Sequence, residues 1–136
     1  MISTIELTLP SHKRGFHLIT SIIVEAIKPL PEMGLLNIFL QHTSAALTIN
    51  ENYDPDVRVD METIINKLIP ENLPEITHNI EGSDDMPAHF KSSIFGVSLS
   101  IPIVNYQLAL GTWQGIYLCE FRNHASSRKL ILTVIS

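Results

Sequence analysis

The largest group of chemically capable side chains lies in residues 41–60, which read QHTSAALTINENYDPDVRVD. A largely apolar run, residues 45–49, interrupts this polar segment and indicates that part of it passes through or beside a core. Polar groups near a core need hydrogen-bonding partners, and those without a structural partner are candidates for binding or catalysis. The candidate residues of this segment are His42, Thr43, Ser44, Asn50, Glu51, Asn52, Asp54, Asp56 and Asp60.

A second polar segment, residues 78–93, reads HNIEGSDDMPAHFKSS. It contains a turn-forming Glu-Gly-Ser sequence followed by a short helix-like stretch. Histidine nitrogen and carboxylate oxygen are ligands for zinc, manganese or iron, whereas paired aspartates with basic neighbours suit magnesium and a phosphate. The spacing leaves both kinds of site open. The candidate residues of this segment are His78, Asp84, Asp85, His89, Lys91 and Ser92.

No standard mechanism motif accompanies these residues. The chain has no HExxH zinc motif, no phosphate-binding glycine loop, no GxGxxG and no GxSxG. Cys119 is the only cysteine, which excludes an intrachain disulfide and a thiolate zinc cluster. A metal would therefore take histidine and carboxylate ligands. We predict that His42, His78 and His89 converge on one divalent metal ion, with Glu120 close enough to orient bound water.

The composition is that of one domain. The chain has 136 residues, of which 45% are hydrophobic, and no repeat or linker divides it. The formal net charge is −5 and the nine Lys and Arg residues are scattered, which argues against a nucleic-acid partner. No apolar segment has the length of a membrane span, and the N-terminus lacks the basic-then-apolar pattern of a signal peptide. We expect a cytoplasmic protein without a membrane partner.

Apolar periodicity predicts the elements that position the polar segments. Residues 3–9 alternate with period two, residues 16–19 form a candidate second strand, and the apolar residues 35–40 indicate an interior strand. Between the last two, Thr20 or Ser21 would cap a short helix.

The clearest helix follows Asp54, which is a good N-cap, and Pro55 suits the first helical position. Apolar side chains then recur at helical spacing, and we expect this stripe to be core. Its members are Val57, Met61, Ile64, Ile65 and Leu68.

The C-terminal half predicts an antiparallel meander, with a turn at Asn105-Tyr106 and a last apolar strand at residues 130–135. In the strand between them, Glu120 shares a face with two aliphatic residues and needs a compensating partner. That partner would be a metal, a histidine or Arg122.

Three blocks of the sequence together resemble the YjbQ-like family of small bacterial and archaeal proteins. They are HTSAALTINENYDPDVRVDME, EGSDDMPAHFKSSIFG and IPIVNYQLALGTWQGIYLCEFR, and flanking segments extend the match to residues 15–134. The resemblance implies a single α+β domain over residues 1–136, with largely antiparallel β-sheets and two or three short helices. It also implies a homotrimer, which agrees with the little polar surface left by the apolar residues 35–40 and 130–135.

Members of this family are often labelled secondary thiamine-phosphate synthases, so the resemblance implies a transferase that acts on a small phosphorylated molecule. In that reaction a thiazole phosphate displaces pyrophosphate from a pyrimidine methyl group, and a divalent ion (zinc, manganese or magnesium) would neutralise the departing charge. By resemblance, the residues for catalysis are Glu120, Asn50 and Ser44, and those for phosphate binding are Arg128, Gln114, Asp84 and Asp85. Lys91, a basic residue of the second polar segment, is a further candidate for binding the phosphate charge.

Two other hypotheses stay open. Three histidines suggest a transition-metal site with an open position for water, which is the chemistry of a metal-dependent hydrolase. The chain would otherwise be a non-catalytic trimer that binds a small anion.

Overall fold

Eight β-strands and three α-helices build the molecule, and the computed structural model describes residues 1–136. The strands are β1 (Ile2–Leu9), β2 (Gly15–Leu18), β3 (Met33–Leu40), β4 (Ala45–Glu51), β5 (Ser98–Val104), β6 (Gln107–Leu108), β7 (Gln114–Glu120) and β8 (Arg128–Ile135). The helices are α1 (Thr20–Ile27), α2 (Pro55–Leu68) and α3 (Asp85–Phe95). No helix combines the length and the apolar character that a membrane span requires.

The strands form two antiparallel sheets. Sheet A has five strands in the order β1-β8-β3-β5-β6, and sheet B has three in the order β2-β7-β4. Every strand pair in both sheets is antiparallel. The α+β class with antiparallel sheets and short helices is therefore confirmed.

The main core lies between the two sheets. Leu36 and Leu132 from sheet A pack in one cluster with Leu47 and Leu118 from sheet B, and Ile23 of α1 joins the same cluster. Alternation along the strands turns every second side chain into this layer. The two sheets therefore form a sandwich, with α1 closing part of it.

A second, smaller core covers the opposite face of sheet B. Ala46 and Tyr117 from the sheet pack there against Ile65 of α2 and Ala88 of α3. The middle strand β7 is consequently buried on both faces, which explains why its residues 116–119 are all apolar.

The predicted cap of α2 is confirmed, but the predicted core stripe is only partly buried. The Asp54 carboxylate accepts a hydrogen bond from the Asp56 amide at 2.9 Å, and Pro55 is the first helical residue. Ile65 is buried, whereas Ile64 is 56% exposed and Leu68 is 71% exposed. Because α2 packs mainly on β2, the edge strand of sheet B, only one narrow face of the helix is covered.

The predicted side-chain cap of α1 is wrong. The helix begins at Thr20 after Ile19 and has no side-chain cap. Thr20 instead uses its hydroxyl oxygen to accept a hydrogen bond from the Ile116 amide at 2.8 Å, which ties the helix start to β7.

Strand register places the start of the first polar segment at the same end of sheet B as Glu120. Ala45, the first residue of β4, pairs with Glu120, the last residue of β7. Residues 41–44, which connect β3 to β4, lie at the same end, and α3 packs against β4. Residues 41–44 of the first polar segment therefore meet the second segment there, whereas Asn50 and Glu51 lie at the opposite end of sheet B.

Candidate metal centre

Three ligand-type side chains converge where α3 begins. His78 Nε2 lies 2.8 Å from Asp85 Oδ2, and His89 Nε2 lies 3.2 Å from the same oxygen. The three donor atoms are all within 4.8 Å of one another. A metal bonded to three donors at about 2 Å would bring those donors to roughly 3 Å from one another, so the spacing suits one ion.

The local fold explains why these three residues meet. Asp85 is the first residue of α3, and His89 follows one turn later on the same helix face. His78 comes from the segment that precedes α3, and its ring centroid lies 5.4 Å from that of His89. Two donors therefore come from a rigid helix and one from the chain entering it.

The orientation of His89 leaves a ring nitrogen free for a cation. Its Nδ1 lies 2.8 Å from the Thr43 carbonyl oxygen, and a carbonyl only accepts, so Nδ1 carries the proton and donates it. In the neutral ring the Nε2 lone pair then faces Asp85. A lone pair facing a carboxylate is unfavourable unless a proton or a metal lies between them. Backbone carbonyls hold metal-binding histidines in this same way.

Arg122 fixes the carboxylate of Asp85 from the other side. Arg122 Nη1 donates to Asp85 Oδ1 at 2.6 Å, and Arg122 Nε donates to Asp84 Oδ2 at 2.9 Å. Burial alone would raise the pKa of Asp85, but the hydrogen bond from His78 and the charges of His89 and Arg122 outweigh it and lower that pKa. Asp85 is therefore ionised, and its Oδ2 faces the two histidines, where it could bind a metal.

Asp84 has a supporting position rather than an open one. Its Oδ2 accepts hydrogen bonds from Arg122 and from the Asn123 amide, both at 2.9 Å. These contacts outweigh burial and lower the pKa of Asp84. Because Arg122 binds both neighbouring aspartates, the pair does not form the open oxygen cage that magnesium prefers.

Glu120, Arg128 and Ser44 form a buried cluster next to this centre. The Glu120 side chain is fully buried, and Arg128 Nε donates to its Oε1 at 2.7 Å. Arg128 Nη2 donates to Ser44 Oγ at 3.0 Å, and the Arg122 amide donates to Glu120 Oε2 at 3.2 Å. Glu120 is thus compensated by the Arg128 side chain and not by that of Arg122. The hydrogen bonds described for these three side chains are all made to other groups of the chain.

Three further predicted residues lie elsewhere. Lys91 points to the opposite side of α3, where it is fully buried, and its Nζ donates to Asn66 Oδ1 at 2.7 Å. Burial is the main cause that lowers the pKa of Lys91. Asn50 and Gln114 lie at the far end of sheet B, about 15 to 20 Å along the strands from Glu120. Within one chain these residues do not join the centre.

His42 lies beside the centre but has a different hydrogen bond. Its Nε2 accepts from the Lys129 amide at 2.8 Å. The ring lines an open groove that also includes Thr43, His89, Ser92 and Ser93. Burial, and after it the charge of Arg128, lower the pKa of His42. The cluster of potential ligands takes Asp85 as its third member, in the place where we predicted His42.

Comparison with known proteins decides the family. The family model described as "UPF0047 protein YjbQ-like" matches residues 4–136. The chain belongs to the YjbQ-like family. It is 52% identical over 130 residues to the UPF0047 protein YjbQ of Salmonella typhimurium, with 94% of each chain covered. It is 48% identical over 130 residues to YjbQ of Escherichia coli O157:H7, again with 94% of each covered.

Solved structures of this family share the fold. A conserved hypothetical protein from Thermus thermophilus superposes with a TM-score of 0.84 at 32% identity, covering 94% of this chain and 97% of that one. An uncharacterized conserved YjbQ/UPF0047 protein from Clostridium acetobutylicum gives a TM-score of 0.83 at 36% identity, covering 96% and 99%. These likenesses show the fold and the family, and they assign no activity.

Within this YjbQ-like chain, sequence reasoning missed the contribution of Arg122 to the centre. The sequence places Arg122 two residues after Glu120 and indicates only a pairing with that carboxylate. The Arg122 side chain instead reaches the start of α3, which is distant in sequence. The pairing of Asp85 with His89 had a usable signal, because residues four apart on a helix share a face.

Proposed function

We propose that this chain is a metal-dependent enzyme that acts on a small phosphorylated molecule, with a divalent transition metal held by His78, Asp85 and His89. The observation that supports this most is the sharing of one carboxylate oxygen by two imidazole nitrogens, at 2.8 and 3.2 Å. Two nitrogens and one oxygen are a donor set for zinc or manganese, whereas magnesium prefers oxygen throughout.

Hydrolysis is the reaction class that this donor set supports best. Three protein donors leave a coordination position open, and a metal in such a site supplies Lewis acidity and an activated water. Thr43, Ser92 and Ser93 line the groove beside His89, and the hydroxyls of the exposed Thr43 and Ser93 would bind oxygens of a substrate. Arg122 adds a fixed positive charge behind the carboxylate of Asp85.

Thiamine-phosphate synthesis is the second candidate, and the resemblance to the labelled family supports it. The same metal would bind the pyrophosphate that leaves the pyrimidine. Lys91 and Arg128, which the sequence suggested for phosphate binding, are buried and paired inside the chain. In this chain the metal would therefore have to neutralise the charge of the departing pyrophosphate. A third candidate is a trimer that binds a small anion without turnover.

Metal analysis of the purified protein tests the proposal. We expect about one zinc or manganese ion per chain, lost in the variants His89→Ala and Asp85→Asn, while His124→Ala, at an exposed position, keeps it. Thermal unfolding should show that all three variants are folded. A wild-type protein that binds neither metal at micromolar concentration would contradict the proposal.

Two activity assays on the metal-loaded protein then separate the candidates. One measures phosphate release from a panel of phosphate monoesters, and the other measures thiamine phosphate formed from the pyrimidine pyrophosphate and the thiazole phosphate. The reaction that the protein catalyses should require the metal and disappear in His89→Ala. Metal binding without turnover in either assay would favour the anion-binding trimer.

A further inference from the structure

We propose that His42 is a substrate-positioning residue that presents a neutral Nδ1–H donor to an oxygen of an anionic ligand bound in the groove. This inference rests on the proposed function, because it assigns a role to one more residue of the same site. It replaces the metal-ligand role that the sequence suggested for His42.

The tautomer of His42 follows from where β3 and β8 separate. The Gln41 amide donates to the Lys129 carbonyl at 3.1 Å, as in a continuing antiparallel ladder. The Lys129 amide then donates to His42 Nε2 at 2.8 Å, so the ring nitrogen replaces a backbone carbonyl. A backbone amide only donates, so Nε2 must keep its lone pair and the neutral ring must carry its proton on Nδ1.

The Nδ1–H group of His42 is available to a ligand. It makes no hydrogen bond within the chain, and the buried side-chain atoms that lack a partner belong to His12, Arg58 and Glu62. Nδ1 of His42 is therefore accessible to solvent. The accessible side of the ring faces the groove that it lines together with His89.

The same hydrogen bond argues against metal binding by His42. A neutral imidazole has one lone pair, and in His42 that lone pair accepts from Lys129. Coordination through Nδ1 would require the neutral ring to lose the N–H proton on Nδ1 as well. A neutral N–H group suits a position near a metal ion, because it binds an anionic oxygen without adding a positive charge that the metal would repel.

The groove has the chemistry of a site for anionic oxygen. His89, Ser92 and Ser93 are spaced so that they share one face of α3. Thr43 and His42 come from the segment opposite, and no carboxylate lines the groove. A phosphoryl group bound to the metal at His89 would extend along these hydroxyls toward His42.

Nitrogen NMR of histidine-labelled, metal-free protein tests the tautomer directly. The signals of His42 are those that disappear in His42→Phe. We expect the Nδ1–H tautomer at about pH 7, whereas an unconstrained imidazole prefers Nε2–H. Detection of the Nε2–H form or of a doubly protonated ring at that pH would overturn the assignment.

Binding of inorganic phosphate to zinc-loaded protein tests the positioning role. His42→Phe should keep its zinc and bind phosphate at least about tenfold more weakly, because a hydrogen bond to a charged group is lost. His42→Gln, whose amide can both accept from Lys129 and donate to the ligand, should recover most of that affinity. His124→Phe is the control and should bind phosphate like the wild type.

The outcomes separate the two proposals. Undiminished phosphate affinity in a folded, zinc-loaded His42→Phe would overturn the role of His42 and leave the metal centre standing. Failure of the wild type to bind zinc would overturn the proposed function, while the tautomer, read from metal-free protein, still decides the state of His42.

Discussion

His89 and Glu120 show two ways in which a polar residue is held near a core. His89 Nδ1 donates a hydrogen bond to the Thr43 carbonyl oxygen, and Nε2 faces Asp85. The Nε2 lone pair therefore remains able to bind a metal. Glu120 uses both carboxylate oxygens to accept from protein donors. A site residue therefore differs from a structural residue in having a polar atom that no donor of the protein occupies. Residue type alone does not reveal this difference.

The ion pair of Glu120 with Arg128 gives a prediction at this scale. Glu120→Gln should lower the free energy of unfolding by about 3 to 5 kcal/mol, because Arg128 would remain buried without a counter-charge. Metal content should not change. Urea denaturation at fixed protein concentration measures the loss.

Glu81→Gln is the matched control for that variant. The Glu81 carboxylate is exposed and lies 3.9 Å from Arg122, so its loss should cost less than about 1 kcal/mol. A Glu120→Gln protein that is as stable as this control, or that has lost its metal, would assign Glu120 to the site instead.

At the scale of elements, local signals predicted α2 better than α1. Asp54 and Pro55 act through neighbouring backbone atoms, so the sequence contains all that decides the helix start. Thr20 was expected to do the same, but its hydroxyl binds the Ile116 amide, and that contact depends on how β7 folds back. Burial of Leu68 was likewise decided by the neighbours of α2 rather than by helical spacing.

The candidate site was predictable to the same limited extent. Asp85 and His89 lie within one helix, where their spacing alone brings them together. His42 and Glu120 depended on sheet register and on where β3 and β8 part, which residue spacing does not encode. The sequence therefore selected the segments that meet, whereas the close group of three ligand-type side chains contains Asp85 where the sequence predicted His42.

The cap of α2 gives a prediction for an element. Asp54→Ala should lower the free energy of unfolding by about 1 kcal/mol, since the Asp56 amide loses its acceptor. Asp56→Ala is the control, because only its backbone takes part in the cap, and it should cost less. Urea denaturation compares the two, and metal analysis should find both fully loaded. Loss of metal from Asp54→Ala at full stability would place Asp54 in the site.

At the scale of the whole molecule, the outer face of sheet A carries exposed apolar side chains. Apolar side chains of β8, β3 and β5 stand there in cross-strand pairs, among them Leu35 with Ile135, Phe39 with Ile131 and Met33 with Val104. Phe39 is 44% exposed and Met33 is 75% exposed. The polar pair of Asn37 and Thr133 lies between these apolar pairs, so the face mixes exposed apolar side chains with polar ones, as interfaces between proteins do. We propose that this face supports the homotrimer that the family resemblance implies.

Light scattering tests that assembly. The wild type should have three times the chain mass of 15.2 kDa, and Phe39→Lys should reduce it to one chain, because a charge would be buried without a partner in the interface. Ile64→Lys is the matched control, since Ile64 is an exposed apolar residue on α2, away from sheet A, and its variant should remain a trimer. A wild-type protein that is monomeric at micromolar concentration would contradict the trimer. A Phe39→Lys protein that keeps the trimer mass would instead show that the subunits meet through another face, and the exposed apolar side chains of α2 and α3 would become the next surface to test.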